Sequence, residues 1–204
     1  MRLGIDFDGT VADTTEAKVR YALERFGERV TGLETTGPHG AERLGHERYL
    51  EMVEAVHRTE WTLSIAPMPG AIEALHALAE HHELFIVTAR THEEIGWARE
   101  WLRPHGVPFR GVVHTNREPK DAACDTLGID VMLDDSLYVL RQLEGVGAHL
   151  ALMDAEYNRA GDYPVRTRRV IDWSAFIDLV ATTERDASAV SRPRRPDSPA
   201  PVRR

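Results

Sequence analysis

Short apolar runs punctuate the chain, and the spacing between them changes character near residue 82. Residues 2–7 (RLGIDF) form an apolar run of strand length. From Asp13 to about Val30 the apolar positions take helical spacing, with Asp13 as N-cap and Glu16 three residues on. Residues 31–42 (TGLETTGPHGAE) are rich in Gly, Pro and Thr and predict a loop. Leu44, Tyr49, Met52, Val53 and Val56 then mark a second helix over 43–59. After the loop SIAPMPG a third helix is expected over about 70–81.

Beyond that point strands and helices alternate. Strands are predicted at 83–88 (ELFIVT), 109–114 (FRGVVH), 130–134 (DVMLD) and 148–153 (AHLALM). Between them stand helices from Thr91 to about Arg103, over 119–127 and over 137–144. Thr91 and Glu94 form a capping-box pair, Pro104 ends that helix, and Ser136 caps the one at 137. Asp172 caps a last helix at about 173–182. Such alternation predicts an α/β fold with a doubly wound parallel sheet. The helical stretch between the first two strands is too long for one crossover. It predicts a small helical cap at 15–66 inserted into a core of 1–14 and 67–183. From 184 to 204 the chain becomes Arg, Pro, Ser, Asp and Ala, a composition that predicts a disordered basic tail.

Composition narrows the function classes. The chain has 204 residues, 42% of them hydrophobic, and a net charge of −8, which suits one domain with an insertion. Residues 183–204 carry six arginines against Glu184, Asp186 and Asp197, a net +3, so the rest stands near −11 (−8 minus +3). That argues against general nucleic-acid binding, which needs basic surface. Cys124 is the sole cysteine, so no intramolecular disulfide can form and a reduced, cytoplasmic setting is expected. No segment has the length of a membrane span, and the first apolar run is too short and acidic for a signal peptide. Monomer and homodimer both stay open. Of 25 basic residues only Lys18 and Lys120 are lysines. The ammonium and the guanidinium are not interchangeable, so each invites a reason.

Ligands of open parallel sheets sit at the carboxyl ends of the strands. The first strand ends in Asp6-Phe7-Asp8-Gly9-Thr10, the second in Thr88-Ala89-Arg90 and the fourth in Asp134-Asp135-Ser136; Lys120 follows the third. Each group alone has an ordinary explanation: a solvated pair, an N-cap, a strand-end hydroxyl, a surface charge. Together they converge on one edge. Clustered carboxylates repel unless a cation neutralises them, and an all-oxygen set suits Mg²⁺. A hydroxyl and an ammonium complete a phosphate site.

The set DFDGT (6–10), VTAR (87–90), Lys120 and LDDS (133–136) resembles the four motifs of haloacid dehalogenase (HAD) superfamily phosphatases. With PMPGAIEAL (67–75) and MDAEYNR (153–159) added, it is similar to the 5'(3')-deoxyribonucleotidases and their bacterial relatives. The resemblance spans about 2–160. It implies a HAD-like Rossmannoid core and a Mg²⁺-dependent phosphomonoesterase acting through an aspartyl phosphate. Asp6 would be the nucleophile and Asp8 the acid and base. Asp6, the Asp8 carbonyl and Asp135 would hold the metal, supported by Asp134. Gly9, Thr88, Ala89 and Lys120 would bind phosphate. The cap would read a small phosphorylated substrate, a (deoxy)nucleoside monophosphate, with Tyr21, Trp61 and Arg90 as candidate contacts. Alternatives are a phosphatase for another small ester (a sugar phosphate or phosphoglycolate), a phosphomutase, and a catalytically silent phosphate-binding domain; the intact motif set argues against the last.

Overall fold

The computed structural model describes residues 1–190 except 161, 163 and 165, and for 189 and 190 the backbone alone. Its centre is a parallel sheet of six strands: β1 (Arg2–Ile5), β2 (Glu83–Thr88), β3 (Gly111–His114), β4 (Val131–Asp134), β5 (His149–Met153) and β6 (Thr167–Val170). Their order is β3-β2-β1-β4-β5-β6, every pairing parallel. Leu3 and Ile5 on β1, Ile86 and Val87 on β2 and Met132 and Leu133 on β4 are fully buried, as strands covered on both faces must be. The strand order reverses between β1 and β4, and a doubly wound sheet opens its crevice at such a switch point. Asp6 and Asp134 stand there.

Helices α4 (Ala71–Ala79), α5 (Ile95–Leu102), α6 (Asp121–Leu127), α7 (Leu137–Gln142) and α8 (Trp173–Val190) connect or cover the strands. Local chemistry starts several of them. Asp172 accepts from the Ala175 N–H at 2.8 Å, and Ser136 accepts from Val139 at 3.4 Å. Between β1 and β2 lie α1 (Thr14–Phe26), α2 (Gly37–Leu44) and α3 (His46–Arg58), with single-turn helices at Leu33–Thr35 and Glu60–Ser64. Asp13 caps α1 through the Glu16 N–H at 3.0 Å. The chain leaves and re-enters the sheet side by side: Ala12 pairs with Pro67, and the Asp13 N–H donates to the Ala66 carbonyl at 2.9 Å.

Four expectations change. The loop at 31–42 contains a helical turn and then α2, because Pro38 suits the first turn of a helix, where its missing N–H costs nothing. Gly45 separates α2 from α3, so the expected 43–59 helix begins only at His46. The sheet has a sixth strand, β6, whose Arg168 and Arg169 hid it from an apolar-run criterion. Helix α8 runs on to Val190, so residues 184–190 are helical and not part of a disordered tail. Residues 191–204 of that tail lie outside the described residues. Among the described residues no helix is long and apolar enough to cross a membrane.

Candidate active site

Asp6 follows directly on β1, its N–H donating to the Leu133 carbonyl of β4 at 2.9 Å. Lys120, at the head of α6, reaches across to it. Its Nζ donates to Asp6 Oδ1 at 2.5 Å and to Asp134 Oδ2 at 2.8 Å. Asp134 Oδ1 accepts the Ser136 N–H at 2.8 Å, so both its oxygens are engaged by the protein. Asp135 accepts from the Tyr157 hydroxyl, and its carbonyl accepts from Asn158 Nδ2 at 2.8 Å. Ligand oxygens of Asp6, Asp134 and Asp135 all lie within 4.8 Å of one another.

The electrostatics follow from burial. Asp6, Lys120, Asp134 and Asp135 are all buried. Burial pushes the Asp6 carboxyl well above the usual range; Lys120 opposes this, but Asp134, Asp135 and Asp8 reinforce it. Asp135 is raised to about 7, by burial and then by Asp134. Burial disfavours the Lys120 ammonium, yet Asp134 and Asp6 outweigh it and hold its pKa above the ordinary lysine value. With all three carboxyls ionised, one ammonium leaves two negative charges, and such a set of hard oxygens fits one divalent cation.

Asp8, only two residues from Asp6, meets different partners. Arg90 grips it as a fork, Nε to Oδ2 at 2.9 Å and the second terminal nitrogen to Oδ1 at 2.8 Å. His57 of α3 places Nε2 3.8 Å from Oδ1. Burial would raise the Asp8 carboxyl, but Arg90, then His57 and Lys18, hold it well below the usual carboxylate range. Burial drives His57 down to about 4, and its Nδ1 donates to the Val53 carbonyl at 2.7 Å, which places a proton on Nδ1.

The remaining expected residues fall in three groups. Thr88 and Ala89 lie at the end of β2, and the N–H groups of Asp8 and Ala89 make no hydrogen bond among the described residues. The Gly9 N–H donates to the Ala12 carbonyl at 2.8 Å and closes a turn. Glycine is needed there: φ is +79°, and a Cβ would stand 2.9 Å from the Tyr157 hydroxyl and meet the Asp135 carboxylate. Arg90, expected to contact substrate, is fully buried and turned onto Asp8. Tyr21 is also buried. It packs edge-on to Trp61 at 5.0 Å and to Phe26 at 5.6 Å, and its hydroxyl donates to Glu51 at 3.0 Å. Trp61 carries the Arg20 guanidinium 5.2 Å above its ring. Both aromatics belong to the packing of the inserted helices.

Sequence reading gave no site role to Lys18, His57 or Glu94. Lys18 is half-buried on α1, and its pKa is lowered by burial against the pull of Asp8 and Asp135. Its rarity in an arginine-rich chain was the signal available. His57 is one of ten scattered histidines and carried none.

The parallel sheet, its strand order and the carboxylates at its switch point make up the fold of the HAD-type α/β proteins. The chain belongs to the family described as 5' nucleotidase, deoxy (pyrimidine), cytosolic type C, which it matches over residues 1–185; it is an enzyme of the phosphatase and nucleotidase kind. It is 24% identical over 193 residues to a "Putative nucleotidase" of Bacillus cereus, covering 88% of this chain and 98% of that protein. Its fold is similar to a HAD-superfamily hydrolase, subfamily IA, of Geobacter sulfurreducens, with TM-score 0.61 and 20% identity over 88% of this chain and 95% of that one. It is also similar to a "putative HAD-hydrolase" of Bacillus subtilis bound to magnesium, with TM-score 0.58 and 13% identity over 88% and 97%.

Proposed function

We propose that this protein is a Mg²⁺-dependent phosphomonoesterase that forms an aspartyl phosphate on Asp6 and takes (deoxy)nucleoside monophosphates as substrates. The observation that carries this reading is the buried set of Asp6, Asp134, Asp135 and Lys120, in which three carboxyl groups share one ammonium. The family match and the magnesium-bound HAD relative support the same reading.

In this reading Asp6, the Asp8 carbonyl and Asp135 would hold Mg²⁺, and Asp134 fixes Lys120. The bound ion supplies charge neutralisation that lets an anionic nucleophile meet a phosphate. An Asp6 oxygen forms a bond to phosphorus while the ester P–O bond breaks, and Asp8, whose proton affinity the arriving phosphate anion raises against the hold of Arg90, delivers a proton to the leaving oxygen. Water then attacks phosphorus, the Asp6–phosphate bond breaks, and the water proton passes to Asp8. Thr88, Lys120 and the N–H groups of Asp8 and Ala89 bind the phosphoryl oxygens; such positioned donors supply most of the catalysis of phosphoryl transfer. The helices of 15–66 act as the cap over this edge, and residues 1–14 and 67–183 as the core.

A second reading is a phosphatase for another small ester, such as a sugar phosphate or phosphoglycolate. It is favoured by the mutual packing of Tyr21, Phe26 and Trp61, which occupies the aromatic faces a base would stack on, while Lys18 stands beside the carboxylates. Phosphate release from nucleoside 5'- and 3'-monophosphates, sugar phosphates and phosphoglycolate, with Mg²⁺ and with EDTA, separates the two. Asp6→Asn is expected to lower Mg²⁺-dependent turnover by roughly three orders of magnitude or more. Turnover that survives in Asp6→Asn would overturn the mechanism, and a preference for non-nucleotide esters would overturn the substrate assignment alone.

A further inference from the structure

Arg90 is among the largest fully buried side chains of the protein. All three of its side-chain nitrogens donate. Two hold Asp8, and the third lies 3.3 Å from the His57 carbonyl, 3.4 Å from Thr62 Oγ1 and 3.5 Å from the Glu94 carbonyl. Its guanidinium also lies over the Phe7 ring, 4.8 Å from the centroid. One side chain thus joins the loop after β1, the C-terminal end of the inserted helices and the turn after β2.

A second charge cluster binds the same seam. The Glu94 carboxylate accepts from Arg58 of α3 at 3.3 Å and, with both oxygens, from Arg117 at 2.7 Å. Asn116 and Arg117 reach this position with φ of +56° and +68°, an uncommon conformation for two successive residues with side chains. Their N–H groups donate to the carbonyls of Arg90 and Ala89.

A buried arginine–carboxylate pair is a weak source of stability, because desolvation offsets much of the attraction. What a fork supplies is direction. Asp8 keeps about a fifth of its side chain open while Arg90 is wholly enclosed. The fork therefore fixes the carboxylate from behind.

We propose that Arg90 is a positioning residue that sets the orientation of Asp8 and links it to the seating of the inserted helices on the core. This rests on the reading of Asp8 as the group that gives a proton to the leaving oxygen. Proton transfer needs hydrogen-bond reach, and small misplacement costs roughly a hundredfold. In the first half-reaction, which kcat/KM reports, only leaving groups that need the proton should feel the loss, whereas hydrolysis of the aspartyl phosphate is common to all esters. An alkoxide needs it; p-nitrophenolate leaves without it.

The test compares Arg90→Lys with wild type on thymidine 5'-monophosphate and on p-nitrophenyl phosphate, after circular dichroism and melting confirm the fold. The expected result is a fall in kcat/KM of roughly 10- to 100-fold on the nucleotide and under about 3-fold on the aryl ester. In an Asp8→Asn background the lysine should add no further bias. Equal loss on both esters, or full bias surviving in the Asp8→Asn background, would overturn the proposal. If Arg90→Lys does not fold, Thr62→Val, which removes one acceptor on the inserted segment, should give a smaller bias of the same sign, and no bias overturns it. Wild-type protein inactive on both esters would instead sink the phosphatase reading and this proposal with it.

Discussion

Asp6 and Asp8 are two residues apart, equally acidic as amino acids, and driven in opposite directions by the regions they enter. Asp6 joins the cluster at the switch point, where burial and neighbouring carboxylates raise its pKa and one lysine is shared with Asp134. Asp8 joins the seam with the inserted helices, where a whole arginine fork is its own and its pKa falls. The contrast shows what a cation shared between acids does. Lys120 cannot satisfy three carboxylates, so the first region carries a standing charge deficit that a metal ion can fill. The seam is closed on itself, Arg90 with Asp8 and Glu94 with Arg58 and Arg117, and needs nothing added.

The largest break in this comparison comes from Lys120→Met. It leaves three buried carboxylates with no cation, and the loss in unfolding free energy should be about 3–5 kcal/mol. Urea denaturation of the metal-free protein measures it; a loss under about 1 kcal/mol would mean that the acids are protonated or solvated and that no charge deficit exists.

Magnesium separates the regions next. At a hundred times its dissociation constant a bound ion should stabilise the fold by about 2.7 kcal/mol. Differential scanning calorimetry with Mg²⁺ and with EDTA should show that rise in wild type and in Asp8→Asn, whose side chain belongs to the seam. Asp135→Asn should lose it. A rise that persists in Asp135→Asn would place the ion elsewhere.

The seam has its own pH signature, of smaller size. His57 sits at about 4 against an ordinary 6.5, so below 6.5 the unfolded chain takes up a proton that the folded one refuses. Stability from this group is complete above about 6.5 and is lost as pH falls toward 4, on the order of 2 kcal/mol across the window. Asp135, raised to about 7, works in the other sense, its contribution being lost as pH rises through 7. The difference in melting temperature between wild type and His57→Gln therefore isolates the histidine. It should shrink as pH falls from 6.5 to 4.5, and a constant difference would mean that His57 is not held neutral by the seam.

Much of the fold was legible because its signals are local. The five strands from β1 to β5 are apolar runs, and the caps Asp13, Ser136 and Asp172 act within three residues. β6 escaped because an edge strand needs apolar residues less: Arg168 points to solvent, and Arg169 is taken up by Asp154 and Asn158. The extension of α8 escaped because Thr-Thr-Glu-Arg-Asp has no apolar period, while buried Val180 and Thr183 still seat the helix.

The candidate site divides the same way. That Asp6, Thr88, Lys120 and Asp134 stand at one edge was determined by the sequence itself, since apolar runs set where strands end and parallel topology aligns those ends. Which cation each acid meets was decided only by the tertiary structure. Arg90 lies 82 residues from Asp8, Lys120 114 from Asp6, and His57 arrives on a helix whose packing no motif announces. Charge interactions depend on distance and burial, and a chain pattern carries neither, so two aspartates that read alike in DFDGT came to be pushed in opposite directions.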